Sequence, residues 1–207
     1  MTKVKLMNQK RVIEVAATLF LEKGFAYTSM DELVRVSKVS KSNVYYHFSN
    51  KEVLLEAVVD YWIEMYQSAI DDVISQSQFL VEDRIQLFLK QLSQGVQSRE
   101  YKGSCPFITL YIQSPKQATQ IKEKIGLFFT GLQKKVSLLL KQGVENGEFR
   151  NTIHIDEVAS LFITNLEGAL FISETLKDAT VITKTAEHFF KIASIKEAFF
   201  LHQISTD

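Results

Sequence analysis

Several common ingredients are scarce in this 207-residue sequence, and each scarcity excludes something. The single cysteine, Cys105, rules out an internal disulfide. No apolar run approaches the roughly 20 residues that span a bilayer, and no secretory leader opens the chain, so the cytoplasm is the expected compartment and no membrane partner is expected. The four histidines, His47, His154, His188 and His202, have no metal-ligand spacing with cysteine or carboxylate, so no metal is expected. No paired acid and base or activated nucleophile stands out either; we expect no catalytic residues, no cofactor and no enzyme. There are only two prolines, Pro106 and Pro115. Each follows a plausible capping residue, so both are expected to start helices rather than break them. Net charge is also missing, with 24 basic and 24 acidic residues.

That neutrality conceals an asymmetry. Residues 1–50 carry eight Lys/Arg against four acids, and the rest of the chain carries the compensating acidic excess. A basic first quarter turns one face toward a polyanion. With 46% apolar residues the chain can bury a real core, and the apolar periodicity is helical throughout. A first helix over residues 8–23 has Ile13, Ala16, Ala17 and Phe20 as its stripe and ends at Gly24. A second begins at Thr28 or Ser29, where Ser29 and Glu32 have capping-box spacing, and buries Met30, Leu33 and Val34. A third begins at Ser40 and buries Val44 and Phe48. The fourth begins at Ser49, with a second capping-box pair to Glu52, and runs to about residue 75. Further helices are expected over residues 81–100, 106–113, 115–146, 156–175 and 180–201. The fold class is therefore all-α.

The second and third helices, joined by a short turn, have the form of a helix-turn-helix, which lays its second helix in the major groove of DNA. On a wheel with Val44 inward, Ser42 and Tyr46 point away from the core and Asn43 and Tyr45 flank them. Lys41 lies near the helix N-terminus, where backbone amides already favour phosphate. Two adjacent exposed tyrosines suit a groove, with rings on thymine methyls and hydroxyls toward phosphates. His47 is turned partly toward the core, and Lys51 sits where it can clamp the same DNA backbone.

The run Gly24-Phe25, Thr28-Ser29-Met30, Val39-Ser40-Lys41-Ser42-Asn43-Val44-Tyr45-Tyr46-His47-Phe48 and Lys51-Glu52 resembles the signature of the TetR/AcrR family of bacterial transcriptional regulators. One departure is Ser42, where many members carry glycine. The resemblance implies an N-terminal three-helix DNA-binding domain, residues 1–50, joined through a long fourth helix to a C-terminal ligand-binding and dimerisation domain, residues 51–207. It also implies a homodimer that represses from a double-stranded operator and is released by a small-molecule effector. Among its DNA contacts it places Thr28, Lys41, Tyr45, Tyr46, His47 and Lys51; Ser42 and Asn43 come from the wheel.

Beyond residue 78 the chain holds twelve of its fifteen phenylalanines. The last two helices are apolar on more than one side: Val158, Leu161, Phe162, Asn165, Ala169 and Ile172 form one stripe, and Ala159, Ile163, Leu166 and Leu170 another. A helix apolar on two sides must bury both, which suits a twofold partner through helices 8 and 9. For a hydrophobic or aromatic effector the candidate residues are Trp62, Tyr66, Phe107, Tyr111, Phe128 and Phe129, with Asn165 and Glu167 as inward polar groups. An alternative keeps the DNA-binding scaffold but replaces the effector by protein partners.

Overall fold

The computed structural model describes residues 3–193, and among them are nine α-helices and no β-strand. They are α1 (Lys3–Glu22), α2 (Met30–Ser37), α3 (Lys41–His47), α4 (Lys51–Ser75), α5 (Val81–Ser98), α6 (Pro106–Gln113), α7 (Thr119–Glu145), α8 (Ile155–Leu176) and α9 (Thr180–Ala193). The all-α reading holds. The end of the last expected helix, residues 194–201, lies outside the described residues.

The capping chemistry explains most boundaries. Gly24 adopts φ +95°, a conformation that glycine takes without strain, and turns the chain out of α1. Ser29 Oγ accepts the Glu32 amide at 3.1 Å, the first half of the expected capping box. The second half does not form, because the Glu32 carboxylate pairs with Lys23 and Arg35 instead. At α4 the cap is Asn50, whose Oδ1 accepts the Val53 amide at 2.9 Å, one residue later than the Ser49 expected. Asparagine is as good an N-cap as serine, so spacing alone could not separate them. Pro106 does open α6. Pro115 instead opens a turn closed by the Ala118 amide on its carbonyl at 3.0 Å, which delays α7 to Thr119.

Backbone packing divides the chain into two compact units. One comprises residues up to Gln67 together with Cys105–Phe128; the other comprises Ser68–Ser104 and the chain from Phe129 on. In the first, α1 packs on α2, α3 and α6. Its core holds Val12, Ala16 and Phe20 of α1, Leu33 of α2, Val44 of α3, and Leu54, Leu55, Val58 and Val59 of α4. Met30, Val34 and Ile13 are only half-buried. Lys124 of α7 bridges Glu56 and Asp60 of α4 at 3.1 and 2.8 Å. Burial works against that ammonium, but the hydrogen bonds to Asp60 and Glu56 outweigh it and its pKa is raised.

In the second unit α9 packs against α5 and α8. Arg84 is buried, and its guanidinium caps α4 by donating to the Val73 and Ile74 carbonyls, both at 3.1 Å. Phe149 lies flat on Phe190, with ring centroids 5.8 Å apart. Its ring also presses on α7 at Gly143, where an added Cβ would sit 2.2 Å from Phe149 Cε2. No other residue can stand at 143 without moving that ring.

Candidate nucleic-acid interface

The turn between α2 and α3 is three residues long. Lys38 caps α2 in the left-handed region at φ 59°, and its amide reaches the Val34 carbonyl. Val39 is buried and anchors the turn. The Ser40 carbonyl then accepts the Asn43 and Val44 amides at 2.9 and 3.0 Å, which starts α3. Val44 and Phe48 are buried, as their four-residue spacing requires, and they fix the rotation of the helix.

That rotation exposes the face the wheel selects. Ser42 is exposed, Tyr45 is 41% and Tyr46 62% exposed, and Asn43 and His47 are half-buried at its edges. Lys41 Nζ stands 2.9 Å from Asp31 Oδ1, and that hydrogen bond raises its pKa. Both partners are largely exposed, so the pair contributes little and a phosphate can compete for the lysine. His47 packs edge-on to Tyr46 at 5.0 Å, and its Nε2 is buried with no hydrogen-bond partner. Asn43 Oδ1 is likewise buried without one.

Two of the residues expected at DNA have other work here. Thr28 is 1% exposed, and its hydroxyl donates to the Gly24 carbonyl at 2.9 Å. Lys51 Nζ donates to the carbonyls of Phe25, Thr28 and Ala26 at 2.7, 3.0 and 3.4 Å, and stands 4.4 Å above the Phe25 ring. An ammonium has three donors, and all three have acceptors inside this unit. From the other side the Phe25 amide donates to Gln113 Oε1 of α6 at 2.8 Å. Thr28, Lys51 and Gln113 thus hold the α1–α2 turn that seats the helix-turn-helix. A group the helix wheel missed is Lys5 of α1, whose Nζ lies 4.3 Å from the centroid of the Tyr46 ring.

The expected effector residues fall into two sets. In the first unit Trp62, Phe107 and Phe128 are buried and Tyr66 half-buried. Tyr66 packs edge-on to Trp62, Phe107 and Phe128 at 6.4, 5.2 and 6.3 Å, and Phe107 stacks on Phe128 at 3.9 Å. Tyr111 stands apart, 46% exposed, with Lys122 above its ring. In the second unit Phe129 and Glu167 line a groove between α7 and α8 with Thr130, Gln133, Ser160 and Thr164. Asn165 does not join them. It is exposed, bonds the Leu161 carbonyl of its own helix, and lines a separate α8–α9 cleft beside His188 and Phe189. Among the described residues no three His, Cys, Asp or Glu cluster as a metal site, and no helix is long and apolar enough to cross a membrane.

A buried-cored helix-turn-helix with aromatic and hydroxyl groups on its second helix defines a DNA-binding regulator, and the comparisons with known proteins agree. Residues 12–58 match the family of bacterial regulatory proteins described as the tetR family, and residues 81–189 match the tetracyclin repressor-like C-terminal domain. The chain belongs to the TetR family and is a DNA-binding transcriptional regulator, not an enzyme. The uncharacterized HTH-type transcriptional regulator YfiR of Bacillus subtilis is 23% identical over 189 residues, 89% of this chain and 90% of its own. The negative regulator IcaR of the biofilm operon icaADBC in Staphylococcus epidermidis is 33% identical over 66 residues, 30% of this chain and 36% of its own. The crystal structure of regulatory protein TetR from Rhodobacter sphaeroides has the same fold, with a TM-score of 0.81 at 17% identity, covering 89% of this chain and 98% of that one.

Proposed function

We propose that this regulator is a cytoplasmic, homodimeric repressor that binds a palindromic operator and leaves it when a small, largely hydrophobic or aromatic effector binds. The exposed face of α3 carries the reading. Ser42, Asn43, Tyr45 and Tyr46 would meet base edges while Lys41 exchanges Asp31 for a phosphate. Thr28, His47 and Lys51 would act from behind as supports of that face. Two copies of α3 would enter successive major grooves about 34 Å apart. The name of IcaR, a negative regulator, supports repression.

The twofold contact would form through α8 and α9. Leu161, Ile172 and Leu176 of α8 are exposed apolar groups at positions that fall on one side of the helix. The effector would part the ring cluster of Trp62, Tyr66, Phe107 and Phe128, whose members are apolar and already in contact. It can shift the protein off DNA only by binding the DNA-incompetent state better, since equal affinity for both states shifts nothing.

Selection of bound sequences from random duplexes, followed by footprinting, tests the operator. A palindrome with half-sites one helical turn apart is the expected result, and a flat response of affinity to salt would overturn the reading. Trp62 is the only tryptophan, so its fluorescence reports directly on the ring cluster. A compound that changes Trp62 emission and releases the operator supports effector control. One that binds tightly and leaves operator affinity unchanged favours control by protein partners.

A further inference from the structure

We propose that Lys5 of α1 is a DNA phosphate contact that works beside Tyr46 of α3. The inference rests on the reading of the α3 face given above and adds to it a residue 41 positions away in sequence.

Five other cations of this region are engaged by groups of the protein itself, while Arg11 and Lys38 stand exposed. Lys23 and Arg35 pair with Glu32, Lys41 with Asp31, and Lys10 with Glu14. Lys51 is held by three backbone carbonyls. Lys5 has no carboxylate within ion-pair distance among the described residues, and the chain has no acidic residue before Glu14. Its ammonium lies 4.3 Å from the centre of the Tyr46 ring, which is the most exposed aromatic group of α3. A ring attracts a cation but does not neutralise it. The fold therefore delivers one unpaired positive charge from α1 to the edge of the surface that faces DNA, and it does so through a contact with the reading helix. The Tyr46 ring is held between that ammonium on one side and the edge-on His47 ring on another. A phosphate at the border of the groove entered by α3 matches this charge, while the tyrosine hydroxyl and ring edge stay free to meet the bases.

The test uses the full-length protein on two duplexes, the selected operator and a scrambled sequence of equal length, titrated between 50 and 200 mM salt. The variants are Lys5→Gln, Lys5→Arg and, as a control for net charge, Lys90→Gln at an exposed lysine of α5. One lost phosphate contact makes the slope of log affinity against log salt shallower by about 0.9, so the deficit of Lys5→Gln shrinks about 3-fold across this range. We expect that change for Lys5→Gln on both duplexes, with Lys5→Arg and Lys90→Gln keeping the wild-type slope. Circular dichroism confirms that the variants keep their helices. A Lys5→Gln slope equal to that of Lys90→Gln overturns the assignment, whatever happens to sequence discrimination. A wild-type protein whose binding ignores salt overturns the α3 reading and the Lys5 contact together.

Discussion

Both α3 and α8 place large apolar groups in solvent, but they surround them differently. On α3, Tyr45 and Tyr46 stand among Lys5, Lys41, Ser42 and Asn43, and each ring has a cation within 6 Å. Along all 22 residues of α8 there is no lysine or arginine, and Leu161, Phe171, Ile172 and Leu176 stand exposed among serine, threonine and a few acids. An exposed ring with cations and hydroxyls around it fits a charged, hydrogen-bonding polymer. An exposed apolar row without cations suits another apolar protein surface, yet would gain nothing at a phosphate backbone. The surroundings, more than the apolar groups themselves, distinguish the face proposed for nucleic acid from the face proposed for another protein.

The comparison can be broken first at α8. Ile172→Glu with Leu176→Glu should leave a folded monomer by sedimentation, because each side chain is exposed in the protomer. Operator affinity should then fall about 100-fold or more as the two half-sites cease to be bound together. A dimer that survives both changes would mean that α8 is not its interface. Tyr46→Ala should do the reverse, keeping the dimer and the melting temperature while weakening the operator by about 10- to 100-fold, the range for a lost base contact. Mobility-shift titration distinguishes it from the α8 pair.

Lys51→Met sharpens the line between a DNA contact and a support. Removing a charged donor from three carbonyls should destabilise the protein by about 2 kcal/mol in chemical denaturation, while the salt slope of DNA binding stays at the wild-type value. A shallower slope would return Lys51 to the phosphate. The smallest effect concerns Glu32. Its hydrogen bond from Lys23, with the charges of Lys23 and Arg35, holds its carboxyl below the ordinary range despite some desolvation. A folded pKa below the unfolded value of about 4.3 stabilises the protein above that pH, and the contribution is lost as pH falls through the folded pKa. Glu32→Gln should therefore lower the melting temperature slightly at neutral pH, flatten the acid limb below about pH 4.5, and converge with the wild type at lower pH.

How much of this was legible in the sequence depended on range. The helices, the Ser29 cap, the turn at Gly24 and the outward face of α3 follow from residues three or four apart, and pattern reading found them. The hydrogen bonds of Thr28 and Lys51 to carbonyls of the α1–α2 turn are not legible, because those acceptors belong to backbone that no side-chain pattern describes. Lys5 reaches Tyr46 only through the crossing of α1 and α3, which periodicity does not encode. Asn165 and Glu167 line different clefts for a simpler reason. Residues two apart on a helix lie about 200° apart, so their side chains leave on nearly opposite sides. In the ring cluster, composition supplied the aromatic residues and the fold decided that Tyr66 would join Trp62, Phe107 and Phe128 while Tyr111 would not.

The grip on the α1–α2 turn bears on which piece of the chain can live alone. Lys51 donates to its carbonyls and Gln113 accepts its Phe25 amide, and neither residue lies among the first fifty. A fragment cut after α3 would retain every side chain proposed to face bases but lose both groups that hold the turn. Autonomy in this protein therefore does not follow the reading surface. The smallest piece able to keep α2 and α3 in shape has to be stitched from two stretches of sequence, with α6 (Pro106–Gln113) brought in from beyond α5.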